Sequence, residues 1–143
     1  MLEASGFVIG KYHMNEGHSS LLTLELLKQK EIKDPESARV DDIRKTCIFT
    51  THTPVPAGHD QFPYPMVRKV LGRFLPLKTI KAFGGEESLN MTRLALNLSY
   101  HVNGVAKEHQ RVSRQMFPGY QIESITNGVH AWTWASDSFR DLF

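Results

Sequence analysis

Residues 46–65 read TCIFTTHTPVPAGHDQFPYP, a run of β-formers that turns abruptly into a loop. Thr46, Cys47, Ile48, Phe49 and Thr50 suit a pleated, buried surface and lack the alternation of a half-exposed strand, so they predict a buried parallel strand. Prolines at 54, 56, 63 and 65 forbid regular structure directly after it. A short buried strand that empties into a polar loop is the repeating unit of an α/β fold, where ligands sit beyond the carboxyl ends of the strands.

Upstream of this unit, Phe7, Val8 and Ile9 read as another short strand, followed by the polar stretch YHMNEGHSS at 12–20. Leu21, Leu22, Leu24, Leu26 and Leu27 then crowd into a mostly buried helix that ends at Lys30, with Glu25 the only charge in its middle. EIKDPESARVDD, at 31–42, reads as solvated linker or a short exposed helix. Downstream, Val67, Val70, Leu71 and Phe74 recur at spacings of three and four, which predicts a helix over 66–75 that Pro76 ends or interrupts. A polar stretch with Gly84 and Gly85 follows. Met91, Leu94, Ala95 and Leu98 make a second helical stripe, and Val105, Val112 and Met116 a third, with HVNGV at 101–105 as the segment between them. Ile122 and Ile125 flank a last strand that runs into Thr126, Asn127 and Gly128, and AWTWASDSFRDLF at 131–143 reads as a loop and a helix start. Strands and helices alternate, so the predicted class is α/β.

The 143 residues suffice for one core, and 41% hydrophobic against 22% charged residues is a globular balance. Seventeen basic against fifteen acidic side chains leave +2 and no basic run, so nucleic acid and anionic membrane are not expected partners. No stretch approaches the roughly 20 apolar residues of a spanning helix. The first ten residues lack the pattern of a signal peptide and read as the tail of a helix and a short strand; the expectation is a chain that begins inside a larger protein. Cys47 is the single cysteine, which excludes an intrachain disulfide and favours a reducing compartment, the cytoplasm by default.

Three polar clusters follow the predicted strands. The first holds His13, Asn15, Glu16 and His18; the second His52, His59 and Asp60; the third Thr126, Asn127, Gly128 and His130. Imidazoles and carboxylates in such numbers permit a divalent metal site and, with it, a metal-dependent hydrolase. The spacing argues against that, since no HExxH pair occurs and loop histidines must converge from separate elements. Local hydrogen bonding by loop histidines is the plainer alternative. A polyhydroxylated ligand is the other: neutral amides and imidazoles pair with sugar hydroxyls without requiring a charged substrate. Cys47 lies inside an apolar strand and no GxSxG elbow exists, which disfavours a nucleophilic hydrolase; neither GxxxxGK[ST] nor GxGxxG is present to cradle phosphate.

Four longer motifs stand in order: YHMNEGHSSLLTLELL at 12–27, FTTHTPVPAGHDQF at 49–62, LNMTRLALNLSYHVNGVAKEHQRVSRQMFPGY at 89–120 and ITNGVHAWTW at 125–134. Together they resemble the α-glucan phosphorylases, the glycogen, starch and maltodextrin phosphorylases, and the brief segment before LNMTRLAL resembles their shorter bacterial and archaeal branch. The resemblance implies a two-lobed glycosyltransferase of GT-B type, with residues 1–126 as the later, Rossmann-like part of the N-terminal glucan-binding lobe and 127–143 as the start of the crossover into a C-terminal lobe. It implies phosphorolysis of an α-1,4-glucan by inorganic phosphate, giving glucose 1-phosphate, and pyridoxal phosphate as cofactor in the full-length parent, whose cofactor lysine matches nothing in this chain. It assigns His52 to catalysis, through a side chain and carbonyl set against the transferred glucosyl, and Asn127 to glucosyl hydroxyls. Glu16 and His18 match a loop lining the cleft, with Glu16 where other branches have Asp; local scaffolding of that loop is the equal alternative for both. No metal is implied. The parent is expected to be a possible homo-oligomer and the isolated chain inactive; the competing reading is a stand-alone carbohydrate-binding or interaction module.

Overall fold

A computed structural model describes residues 2–140. Expectations that touch Met1 or 141–143, including the last residues of the proposed crossover, lie outside the described residues.

Strand β1 (Tyr12–Asn15) leads through a 3-10 turn (Gly17–Ser20) into helix α1 (Leu21–Gln29). Helix α2 (Val40–Thr46) feeds β2 (Cys47–Thr51). Strand β3 (Gln61–Pro63), helices α3 (Tyr64–Leu71) and α4 (Leu77–Gly84) and strand β4 (Ser88–Asn90) follow, then α5 (Met91–Asn97), β5 (His101–Gly104), α6 (Lys107–Met116) and β6 (Glu123–Ser124). Two short helical turns, α7 (Ala131–Trp134) and α8 (Asp137–Arg140), close the described chain.

The main sheet is parallel, in the order β1-β2-β5-β6, and β3 pairs with β4 as a separate antiparallel ribbon. The α/β expectation therefore stands. A parallel sheet that grows in one direction through right-handed crossovers carries its helices on one face, and the burial of the strands agrees. Met14, Cys47, Phe49, Thr51 and Val102 alternate into the core with Ile122, which is fully buried just ahead of β6. On the opposite face His13 and Asn15 are exposed and Ile48 and His101 half-buried, while Thr50 and Asn103 are buried and hydrogen-bonded to each other. Leu24 and Leu27 of α1 and Leu94, Ala95 and Leu98 in and after α5 complete the core. Asn90 starts α5 by accepting the Arg93 N–H at 2.9 Å, a standard cap that removes one orphan donor.

Several expectations are corrected. The first strand is not Phe7–Ile9: Phe7 and Val8 are exposed, and the strand begins at Tyr12, because Met14 opposite Phe49 fills the core while His13 and Asn15 point away. HVNGV is no connection; its first four residues form β5, an interior strand. Sequence inspection passed over it because only Val102 is aliphatic, whereas Asn103 and Gly104 occupy buried positions through a hydrogen bond and a missing side chain. The polar stretch after Pro76 is a full helix, α4, with Ile80 and Phe83 buried one turn apart. The helix expected over 66–75 starts earlier, at Tyr64, and ends at Leu71, where Gly72 adopts φ +61°. The linker is not wholly solvated either, since Ile32 and Val40 are buried and Val40 opens α2.

Candidate functional site

Parallel strands end on a common edge, and the register places the candidate residues along it. Asn15 pairs with Thr50, Thr51 with Gly104, and Gly104 with Ser124. Glu16, His52, Val105 and the residues after β6 thus follow one another along the carboxyl edge. Asn127 is attached there by its own backbone, donating its N–H to the Val105 carbonyl at 3.1 Å, while Ile125 N–H bonds Gly104 O at 3.0 Å. His52 and Asn127 leave strands two positions apart in the sheet, about 10 Å at ordinary strand spacing. Their side chains are exposed.

Glu16 is held by its own loop and by the loop after β2. Its backbone has φ +71°, sparsely populated for a residue with a side chain, and its N–H is held by the Thr50 carbonyl at 2.9 Å. The carboxylate is then taken up by protein donors. Oε2 accepts the His52 N–H at 2.7 Å and the Thr53 hydroxyl at 2.8 Å, and Oε1 accepts the Gly17 N–H at 3.0 Å and, more weakly, the Thr51 hydroxyl at 3.4 Å. Burial pushes the Glu16 carboxyl up. The hydrogen bonds from His52, Thr53 and Gly17, with the field of His59, outweigh burial and hold it below 4.5. Glu16 is therefore an ionised tie between the ends of β1 and β2. His18, one residue beyond Gly17 in the 3-10 turn, is exposed near the same edge.

His59, in the same loop as His52, is buried. Its Nδ1 lies 2.8 Å from the Thr92 hydroxyl of α5, and its ring meets the Phe117 ring edge-on with centroids 5.0 Å apart. Burial lowers its pKa below 6.5, against the opposing pull of Glu16. Pro56 and His59 border a cavity of about 570 Å³ shared with Gly85, Glu87 and Arg93, which takes in neither His52 nor Asn127. His13, grouped by sequence with Glu16, lies on β1 itself and bonds the Thr50 hydroxyl at 2.8 Å, which in turn donates to Asn103 Oδ1 at 3.0 Å. His130 is spent locally on Thr133. Among the described residues no three His, Cys, Asp or Glu side chains form a group able to hold a metal. Cys47 is fully buried and burial raises its thiol pKa, the state of a packing residue rather than a nucleophile.

Sequence reading missed three contributors: Thr53, whose hydroxyl completes the Glu16 tie; Val105, the backbone bracket for Asn127; and His109, which accepts the Val105 N–H. The available signal was GVAKEH at 104–109, a strand-ending glycine with a histidine in the first turn of the next helix.

No protein-family profile matches the chain. Curated relatives do. It is 39% identical to a glycogen phosphorylase of Mycobacterium tuberculosis, over 92% of this chain and 18% of that protein. It is 37% identical to a maltodextrin phosphorylase of Thermococcus litoralis, over 91% of this chain and 17% of the relative. A glycogen phosphorylase of Aquifex aeolicus matches at 31% over 100% of this chain and 23% of its own length. The match runs through both halves of the edge just described, from Glu16 and His52 to Asn127, and the chain spans about a fifth of the length of these relatives. By sequence, the chain belongs to the glycogen and maltodextrin phosphorylase family, as a segment of it.

Proposed function

We propose that this chain supplies the glucan-binding side of an α-1,4-glucan phosphorylase cleft of GT-B type. In that reading residues 1–126 belong to the N-terminal lobe and 127–143 begin the passage to the other lobe. The observation that supports it is the placement of His52 and Asn127 just beyond the in-register ends of β2 and β6 at one sheet edge, with Glu16 fixing the first and Val105 the second. In the reaction the glucosyl C1–O4 bond breaks, a phosphate oxygen bonds C1, and the departing O4 takes a proton. His52 faces the glucosyl unit, and a carbonyl and imidazole fixed before reaction stabilise positive charge developing at C1 without reorganisation. Asn127 offers an acceptor and two donors to ring hydroxyls. Glu16 acts through His52 by holding its N–H, and His18 lines the approach.

The pyridoxal phosphate of such an enzyme supplies phosphate-mediated proton transfer, and the residues here do not fit its site. None of the chain's lysines is buried; the one half-buried, Lys81, lies over the Tyr64 ring and beside Glu86. No step is therefore assigned to the cofactor through this chain, and the substrate-phosphate groups likewise belong to other residues. The test is His52→Ala in a polypeptide that carries this segment with the remaining phosphorylase sequence, assayed for glucose 1-phosphate from maltodextrin and phosphate. A variant with parent-like turnover sinks the assignment.

A further inference from the structure

His109 occupies a position that its burial does not explain. It stands in the first turns of α6, is 7% exposed, and its Nε2 is buried without a hydrogen-bond partner. An aliphatic side chain would fill the space without stranding a polar atom. The other ring nitrogen accounts for the residue. Nδ1 accepts the Val105 N–H at 3.2 Å, which requires an unprotonated Nδ1 and a neutral ring carrying its proton on Nε2. The ring gets there because Gly104 has no side chain: a Cβ at that position would lie 3.0 Å from Nδ1 and 3.3 Å from Cγ. Gly104 does not need a positive φ, so its role is close approach rather than backbone freedom.

Val105 is the residue to which Asn127 is attached. Its N–H is bound by His109 and its carbonyl by the Asn127 N–H. The peptide groups on either side of Val105 are thereby fixed from two sides, one by the helix that follows and one by the strand end beyond. We infer that His109 is a positioning residue for Asn127: by clamping the Val105 N–H it sets the backbone bracket that aims the Asn127 side chain along the carboxyl edge. Without the clamp, the Val105 peptide just beyond β5 loses its tie to α6, and Asn127 hangs from a group held on one side only. The inference rests on the reading of Asn127 as a sugar contact, yet its structural half can be measured separately.

The experiment is residue-resolved amide hydrogen exchange on the 143-residue chain, with the Lys30 amide, bonded to Leu26 O in a distant helix end, as the internal reference. His109→Leu is expected to speed exchange at Val105 and Asn127 on the order of tenfold and leave Lys30 unchanged. His109→Asn, whose side-chain oxygen can stand where Nδ1 stood, is expected to restore protection at both. Gly104→Ala is expected to reproduce the loss by displacing the ring. Parent-like exchange at Asn127 in His109→Leu, or exchange in His109→Asn as fast as in His109→Leu, overturns the inference. Should His109→Leu lose protection at Lys30 as well, Gly104→Ala decides, and parent-like Asn127 exchange there overturns it. Titrating maltopentaose onto the parent separates the two layers: an Asn127 amide that never responds removes the sugar contact and leaves the clamp intact.

Discussion

The Glu16 carboxylate accepts the backbone N–H of His52 at 2.7 Å, so an acidic side chain on one strand end dictates the peptide orientation at the next. Charge-assisted hydrogen bonds of this length are about twice as strong as neutral ones. Replacing Glu16 by Gln would turn an NH2 group toward donors at one of its two ends. Glu16→Gln is expected to cost about 1–2 kcal/mol of stability, read as a lower urea midpoint with an unchanged slope. An unchanged midpoint would show that the tie carries no weight.

The same tie sets an acid limit. The folded pKa of Glu16 lies below 4.5, so its stabilisation is complete above that value and is lost as pH falls through the lower folded value. His59 has a folded pKa below 6.5, so the unfolded chain takes up its proton first and stability declines as pH falls from 6.5 toward the folded value. Melting temperature against pH is expected to drop in two windows, one starting near 6.5 and one near 4.5. Glu16→Gln should flatten the second; a profile identical to the parent's would refute the assignment.

His52 and His59 share a loop and should part company under mutation. In the longer polypeptide, His52→Ala is expected to lower kcat by on the order of tenfold to a thousandfold, with a smaller change in KM. His59→Ala removes the contacts to Thr92 and Phe117 and should cost about 1–3 kcal/mol of stability while kcat stays near the parent's. Equal losses of kcat, or sensitivity of either enzyme to a chelator, would favour a shared metal site instead.

The 143-residue chain alone is expected to make no glucose 1-phosphate from maltodextrin and phosphate, because the proposed sugar contacts on its edge come without a phosphate site. Detectable product from the purified chain would contradict the proposed division of roles.

Phe7, Val8, Met66 and Val70 are exposed, as are Trp132 at 64% and Trp134 at 79%, and large apolar side chains left in water favour association. Sedimentation is expected to show concentration-dependent self-association, and a clean monomer with a sharp reversible transition would count against it.

The fold was legible where side chains announce it. Cys47, Ile48 and Phe49 declare β2, and the leucines of α1 and the stripe of α5 declare their helices. It was illegible where burial is achieved by polar or absent side chains. Asn103 and Gly104 hide β5, and α6 buries His109 and Ser113 with Phe117 beyond them, whereas the stripe expected from Val112 and Met116 is only half-buried. The candidate site divides likewise. His52, Asn127 and His18 stand out by motif and lie beyond the ends of β2, β6 and β1; the donors that Thr53 and the His52 backbone offer to Glu16 are revealed by no spacing rule.

The strand order β1-β2-β5-β6 follows the chain without a reversal. Each strand after the first joins at the edge that the previous one left open, and no completed pair has to separate to admit a later arrival. Assembly can therefore proceed in the order of synthesis, one crossover at a time, with the growing edge always the most recent strand. Along the described residues the carboxyl edge gains Asn127 only after β6 has paired, when its N–H reaches the Val105 carbonyl.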